Sequence, residues 1–204
     1  MRDDTRAQRQ SQIETAAYAV LEEKGFSGAS MLAIARRAKA SNETLYSWYG
    51  DKNGLFHALV QRNAQDVRTL LETCLQEGGE ALGTLARFGP LLLSVLAGPR
   101  AVALNRAAAA DPGGTLGAAS ATNGRETIKT LLTGVLIQAR DQGALAFGDT
   151  DTDAVAETYL SLLIGDLQIR RVIGRAPVPD ADTIRERAER ALAQLRALYA
   201  PTHV

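Results

Sequence analysis

Apolar residues recur along the chain at spacings of three and four, the period of one helix face. Ile13, Ala16, Ala17, Val20 and Leu21 form the first such stripe, and Gly25 predicts the end of that helix. Ser30 stands where an N-cap belongs, ahead of a short helix from Met31 to Ala38 with Ile34, Ala35 and Ala38 inward. Ser41 takes the same place ahead of a third helix, Asn42 to Trp48, with Leu45 and Tyr49 inward. Gly50-Asp51 breaks the chain. A long helix is expected next, from Lys52 to Glu77, with Leu55, Phe56, Leu59, Val60, Val67, Leu71 and Cys74 among its apolar positions.

Gly78-Gly79 marks the following boundary. The helix expected over 80–97 contains Pro90, whose missing N–H predicts a kink. Gly98-Pro99 opens another helix to about Ala110, and Asp111-Pro112-Gly113-Gly114 reads as a loop. The Ala-rich segment that runs to Gln142 is expected to break near Asn123-Gly124. Asp149 to Asp153 suits the positive end of a helix dipole. An apolar helix follows over 155–173. Pro177 and Pro179 separate it from a last helix, Ala181 to Tyr199, with Ile184, Ala188, Ala191, Leu192, Leu195 and Leu198 on one stripe. No segment reads as a strand. The expected fold is all-α, with a three-helix domain over 1–51 and a helical domain over 52–204, joined by helix 52–77.

Composition narrows the class. The 204 residues are 46% hydrophobic and 23% charged, which excludes a disordered chain. Net charge is zero, so no global basic field advertises nucleic acid. Residues 1–62 nevertheless hold nine Lys/Arg against seven Asp/Glu, and residues 63–204 fourteen against sixteen. The positive excess thus lies where the short helices are. A single cysteine, Cys74, permits no intramolecular disulfide and fits a reducing compartment. The start, MRDDTRAQRQSQ, has no apolar signal core, and no run approaches the ~18–20 apolar residues of a membrane span. A cytoplasmic protein with no membrane partner is expected.

The chemistry concentrates in residues 36–52, RRAKASNETLYSWYGDK. Two short helices joined by a tight turn make a helix-turn-helix, whose second helix must offer short polar side chains to base edges in the major groove. Ser41, Asn42, Glu43 and Thr44 supply them. Asn can bridge adenine, Glu can accept from the cytosine amino group, and Thr can meet a polar edge or the thymine methyl. Tyr46, Trp48 and Lys52 are placed to donate to phosphates, as are the backbone N–H groups of the helix begun by Ser30. The turn usually holds Gly at a left-handed position; here Lys39 stands there. The competing reading is a helical small-molecule-binding or enzymatic protein whose first three helices only pack.

Residues 13–60 resemble the DNA-binding domain of TetR/AcrR-type transcriptional repressors. The resemblance rests on EKGF after the first helix, IA-x-x-A in the second, S-x-x-TLY in the third, and Y-G-D-K-x-x-LF leading into the fourth. It implies that Ser41 to Thr44 face the major groove and that Tyr46, Trp48 and Lys52 hold phosphates, with Tyr49 packed beneath. The chain departs from many relatives at Lys39 and Glu43, where they have Gly, and at Ser47, where they have an aromatic that would contact phosphate. Glu43 is then expected to reach a base donor or to pair with Lys39 or Arg36.

Residues 80–200 resemble the AefR-like regulatory domains of the same family through PRAVALNRAAAADPGG, ARDQGAL and YLSLLIGDLQIRRVIG. That resemblance implies a cavity for a small apolar or amphipathic effector and a dimer. The apolar stripes of helices 155–173 and 181–199 suit a self-complementary four-helix interface. Candidate cavity residues are Leu71, Phe88, Leu92, Val95, Leu96, Leu104, Leu131, Val135, Tyr159 and Leu163, with Asn105, Arg106, Gln138 and Asp166 as polar candidates. The expected partners are a palindromic operator in double-stranded DNA, a second copy of the chain, and that effector, with repression as the outcome. No catalytic residue, metal or cofactor is expected. Asp149-x-Asp151-x-Asp153 lacks the Gly and Glu of a calcium loop, and Gly113 to Gly117 lacks the Gly-Lys-Ser/Thr of a phosphate loop. Cys74 reads as a core thiol.

Overall fold

The computed structural model describes residues 2–201, and among them no strand forms. Twelve α-helices follow in order: α1 Arg2–Gly28, α2 Met31–Ala38, α3 Asn42–Tyr49, α4 Lys52–Asn63, α5 Gln65–Glu77, α6 Ala81–Ala97, α7 Pro99–Ala109, α8 Thr115–Ser120, α9 Thr127–Asp141, α10 Thr152–Ile164, α11 Leu167–Val172 and α12 Ala181–Leu198. A π-helical turn over Ala121–Glu126 sits where the break near Asn123-Gly124 is expected. Gly25 interrupts α1 with a φ of 65°. The helix expected over 80–97 contains Pro90 and is not ended by it.

The helices pack as two compact units. The first takes the chain up to Asn63 together with Arg100–Gly124. Its core is built on Ile13, Ala17, Ile34, Leu45, Leu55, Phe56 and Leu59, all fully buried. Ala103, Leu104 and Ala107 of α7 and Leu116 of α8 close that core, and α8 lies on α4. The second unit takes Ala64–Pro99 and Arg125 onward. There α5 packs between α6 and α9, and α12 lies on α6 and α10. Phe88, Leu93, Leu132, Val135, Tyr159 and Leu195 are fully buried at its centre. Gly89 lets α6 and α12 approach: a Cβ there would stand 3.0 Å from that of Ala188. Division by packing therefore differs from the division at residue 52, because α4 stays with the first core and the chain returns to it for α7 and α8.

Two expected helices are each two. The helix foreseen over 52–77 ends at Asn63, and Ala64 adopts φ −95°, ψ −2° before α5 begins. Asn63-Ala64-Gln65 contains no helix breaker; each half instead follows its own core, Leu59 and Val60 in the first and Val67 and Leu71 in the second. The helix foreseen over 155–173 ends at Ile164. Gly165 takes φ 47°, ψ −130°, which a residue with a side chain adopts only under strain. From α12, the Arg187 guanidinium donates to the carbonyls of Leu163 at 2.6 Å and Ile164 at 2.8 Å. These are the orphan acceptors at the end of α10, so α12 caps the helix on which it packs.

Candidate nucleic-acid interface

Each short helix of the first unit is fixed at both ends by local chemistry. The Ser30 hydroxyl accepts from the Ala33 N–H at 3.2 Å, and the Ser41 hydroxyl from the Thr44 N–H at 3.0 Å. Both are N-caps, as expected. Between them the chain turns through Lys39 at φ 51°, ψ 39°, the one non-Gly left-handed residue among those described. The Ala40 N–H reaches the Ala35 carbonyl at 3.0 Å, and the Lys39 N–H the Arg36 carbonyl at 3.3 Å. That pairing is a Schellman motif, which satisfies the last acceptors of α2 and sets the angle at which α3 leaves. Asp51, expected only as part of a break, accepts from the Gly54 N–H at 2.8 Å and caps α4.

On α3, Leu45 is fully buried and Trp48 and Tyr49 are half-buried. Asn42, Glu43, Tyr46 and Ser47 are exposed, so the outward face lies on the first two turns, beside exposed Ser41 and Lys39. Thr44 is less available than expected: its hydroxyl lies 2.7 Å from that of Ser41, and it is half-buried. Among the described residues Glu43 makes no ion pair, with Lys39 and Arg36 included. Lys52 is half-buried. Its ammonium donates to the Phe26 carbonyl at 3.0 Å and sits 4.2 Å from the centre of the Phe26 ring. It thus ties the start of α4 to the end of α1, with two of its three donors left for a phosphate.

Behind α3 lies a polar cluster. Glu14 on α1 is 5% exposed, and its carboxylate stands 3.8 Å from Arg62 Nε on α4. Burial raises the Glu14 pKa against the opposing pull of Arg62 and Arg100. The Tyr49 phenol is pushed up to about 12 by burial, then by the nearby Glu14 charge. The Tyr18 hydroxyl donates to the Leu59 carbonyl at 3.4 Å and the Arg100 guanidinium lies 5.5 Å from the Tyr18 ring centre, so α1, α4 and α7 are fastened together.

Two further cations touch the turn and α3. Arg9 Nη1 donates to the Lys39 carbonyl at 3.3 Å, and the Arg6 guanidinium lies 5.3 Å from the centre of the Trp48 ring. Neither is among the residues expected from the sequence motifs. A signal was present: continuing the Ile13 stripe backwards by four and seven residues lands on Arg9 and Arg6.

The expected effector residues fall into two places. Leu71, Phe88, Leu92, Val135, Tyr159 and Leu163 are buried together in the second core, and Val95, Leu96 and Leu131 pack against it half-buried. Leu104 does not join them; it lies in the core of the first unit with Ala103 and Ala107 of α7. The Tyr159 hydroxyl donates to the Leu85 carbonyl at 3.1 Å. Asn105, also in the first unit, donates to the carbonyl of Ala101 at 2.8 Å. Gln138 faces the Cys74 thiol at 3.6 Å, and Asp166 is exposed beside Arg170. An open groove of about 510 Å³ runs along α10, lined by Ala154, Glu157, Thr158, Ser161 and Leu162. It includes none of the expected effector residues.

Two capped helices at a left-handed turn, the second with a polar outward face, form a DNA-binding helix-turn-helix, here followed in an all-α chain by a second helical core. Residues 13–59 match the tetR family of bacterial regulatory proteins, and residues 83–201 match the C-terminal domain of AefR-like transcriptional repressors. The chain belongs to the TetR family of transcriptional regulators, whose members are DNA-binding proteins rather than enzymes. A TetR-family regulator from Mesorhizobium loti MAFF303099 is 26% identical, covering 95% of this chain and 97% of its own, with a TM-score of 0.75. A TetR regulator from Agrobacterium tumefaciens is 28% identical over 95% of each chain, with a TM-score of 0.72. The flavonoid-responsive regulator FrrA is 25% identical, covering 97% of this chain and 100% of its own, with a TM-score of 0.68. No curated protein matches the chain. Among the described residues no single helix is long and apolar enough to cross a membrane.

Proposed function

We propose that this regulator is a cytoplasmic repressor that binds a palindromic operator as a homodimer and is released by a small apolar or amphipathic effector. The observation that carries the reading is the outward face of α3, with Asn42, Glu43, Tyr46 and Ser47 exposed next to Lys39 on a turn fixed by two N-caps and a Schellman motif. Asn42 and Glu43 read base edges, while Tyr46, Lys39 and the remaining donors of Lys52 hold phosphates.

One helix of eight residues makes too few contacts for tight specific binding, whereas two half-sites supply enough. The second copy packs on α10 and α12. Supporting this, the α10 groove is unpartnered, and Ile169, Ile173 and Leu198 on and after α11 and α12 are all 62% exposed. The effector enters among the buried side chains around Leu71, Phe88 and Tyr159. FrrA, described as flavonoid-responsive, supports an effector-driven response. Binding there displaces α5, which is joined to α4 only through Ala64, and operator affinity falls through a shift between two arrangements.

Selection from a random pool of duplex DNA tests the reading. The enriched sequences should be inverted repeats whose half-site centres lie roughly 34 Å apart, and raised salt should weaken their capture. Enrichment of no sequence, or of single unrepeated sites, would overturn it.

A further inference from the structure

We propose that Arg6 and Arg9, on the first turns of α1, form a second phosphate-binding edge alongside α3. The proposal rests on α3 being the DNA-contacting helix. The two arginines are three residues apart, so they lie on one face of α1 about one turn from each other. Arg9 donates to the carbonyl of Lys39, just before α3, and the Arg6 guanidinium lies over the Trp48 ring, in the last turn of α3. The pair therefore brackets the reading helix at both ends.

Three features of the pair point to an anion. First, the contacts gather Arg6, Arg9 and Lys39 around one short helix, and like charges gathered this way repel until a counter-charge arrives. Second, neither arginine is ion-paired among the described residues, whereas Arg37 is bound to Glu23 and Arg62 faces Glu14. Third, the contacts they do make leave their donors open. Arg9 gives one of five N–H groups to Lys39, and the Arg6 guanidinium, 5.3 Å from the Trp48 ring centre, meets a π face that accepts no conventional hydrogen bond from its donors. The guanidinium fork matches two phosphate oxygens. Half-buried Trp48 could offer a phosphate only its single indole N–H; Arg6 held above it offers a charged fork instead. The contact carries no sequence information, so it strengthens binding to every duplex.

The test is a salt titration of binding by the full-length protein, read by fluorescence anisotropy. The probes are a random-sequence duplex and a duplex selected by the wild type. Arg6→Gln/Arg9→Gln should lower the slope of log affinity against log salt by about 1.8, from about 0.9 per lost phosphate contact, on both duplexes alike. Arg6→Lys/Arg9→Lys should restore most of the slope although the guanidinium over Trp48 is lost. An unchanged slope in the double Gln variant overturns the proposal, even with weaker binding at every salt, because the arginines would then only prop α3. Were the double variant unfolded by circular dichroism, exposed Arg6→Gln alone is read, with a drop of about 0.9 expected and no drop overturning it. A wild type that binds neither duplex sinks this proposal and the reading of α3 together; a wild type that binds, with unaltered variants, sinks this one alone.

Discussion

Lys39 shows how one residue can be legible in sequence and still serve two ends. A left-handed backbone costs a non-Gly residue roughly 1–2 kcal/mol, a cost Gly does not meet. The turn at φ 51° accepts that strain, and the side chain stays exposed beside the outward face of α3. Lys39→Gly should keep the fold, raise the melting temperature slightly, and weaken DNA binding with a shallower salt dependence. A thermal melt and a salt titration check both halves. Ser30 and Ser41 were equally readable, since an N-cap is a local arrangement of one side chain and one N–H. Glu14 was not. It lies at helical spacing with Ala17, Tyr18 and Leu21, on the edge of the apolar stripe, but its burial depends on Arg62, far along the chain. Arg6 and Arg9 lie on the backward extension of the Ile13 stripe, but their contacts with Trp48 and Lys39 belong to other elements, so periodicity alone does not show them.

At the scale of elements, helix existence followed from periodicity, and helix continuity did not. Gly165 stands within an apolar run that reads as unbroken over 155–173, and a glycine inside a helix pattern is not by itself a stop. It became a stop because Arg187 reaches across from α12 to the carbonyls of Leu163 and Ile164. Gly165→Ala meets two penalties. The φ of 47° with ψ of −130° is strained for alanine, and the new Cβ would lie 2.6 Å from the Arg187 Nη2. A loss of about 1–3 kcal/mol in stability is expected, measurable by urea denaturation. Wild-type stability in this variant would show that the end of α10 reshapes freely. The break at Ala64 carries no such local mark, and it follows from the division of α4 and α5 between two cores.

For the whole molecule, the two packing units explain why the expected effector residues did not all come together. Leu104 has the apolar character of the others, but α7 belongs to the first unit. Apolar periodicity tells that a residue is inward without telling into which core. The proposed dimer is likewise a property of a surface. Ser161 is exposed in the groove along α10, so Ser161→Arg introduces a charge where the second copy is proposed to pack. Light scattering should then report the mass of one chain in place of two. Affinity for the selected operator should fall, and the helical signal in circular dichroism should be unchanged. A variant that keeps the mass of two chains would place the interface elsewhere.

By itself the sequence determined the all-α class, the helix-turn-helix with both N-caps and its left-handed turn, and the family. Each of these rests on interactions within a few residues, or on motifs in register along the chain. Only the tertiary structure decided where the long helices break, which core receives each apolar face, and which side chains are already committed. Lys52 is the plainest case. The resemblance at Y-G-D-K implies a phosphate donor, but the bond of Lys52 to the Phe26 carbonyl joins residues 26 apart in the chain, a contact that no local pattern encodes.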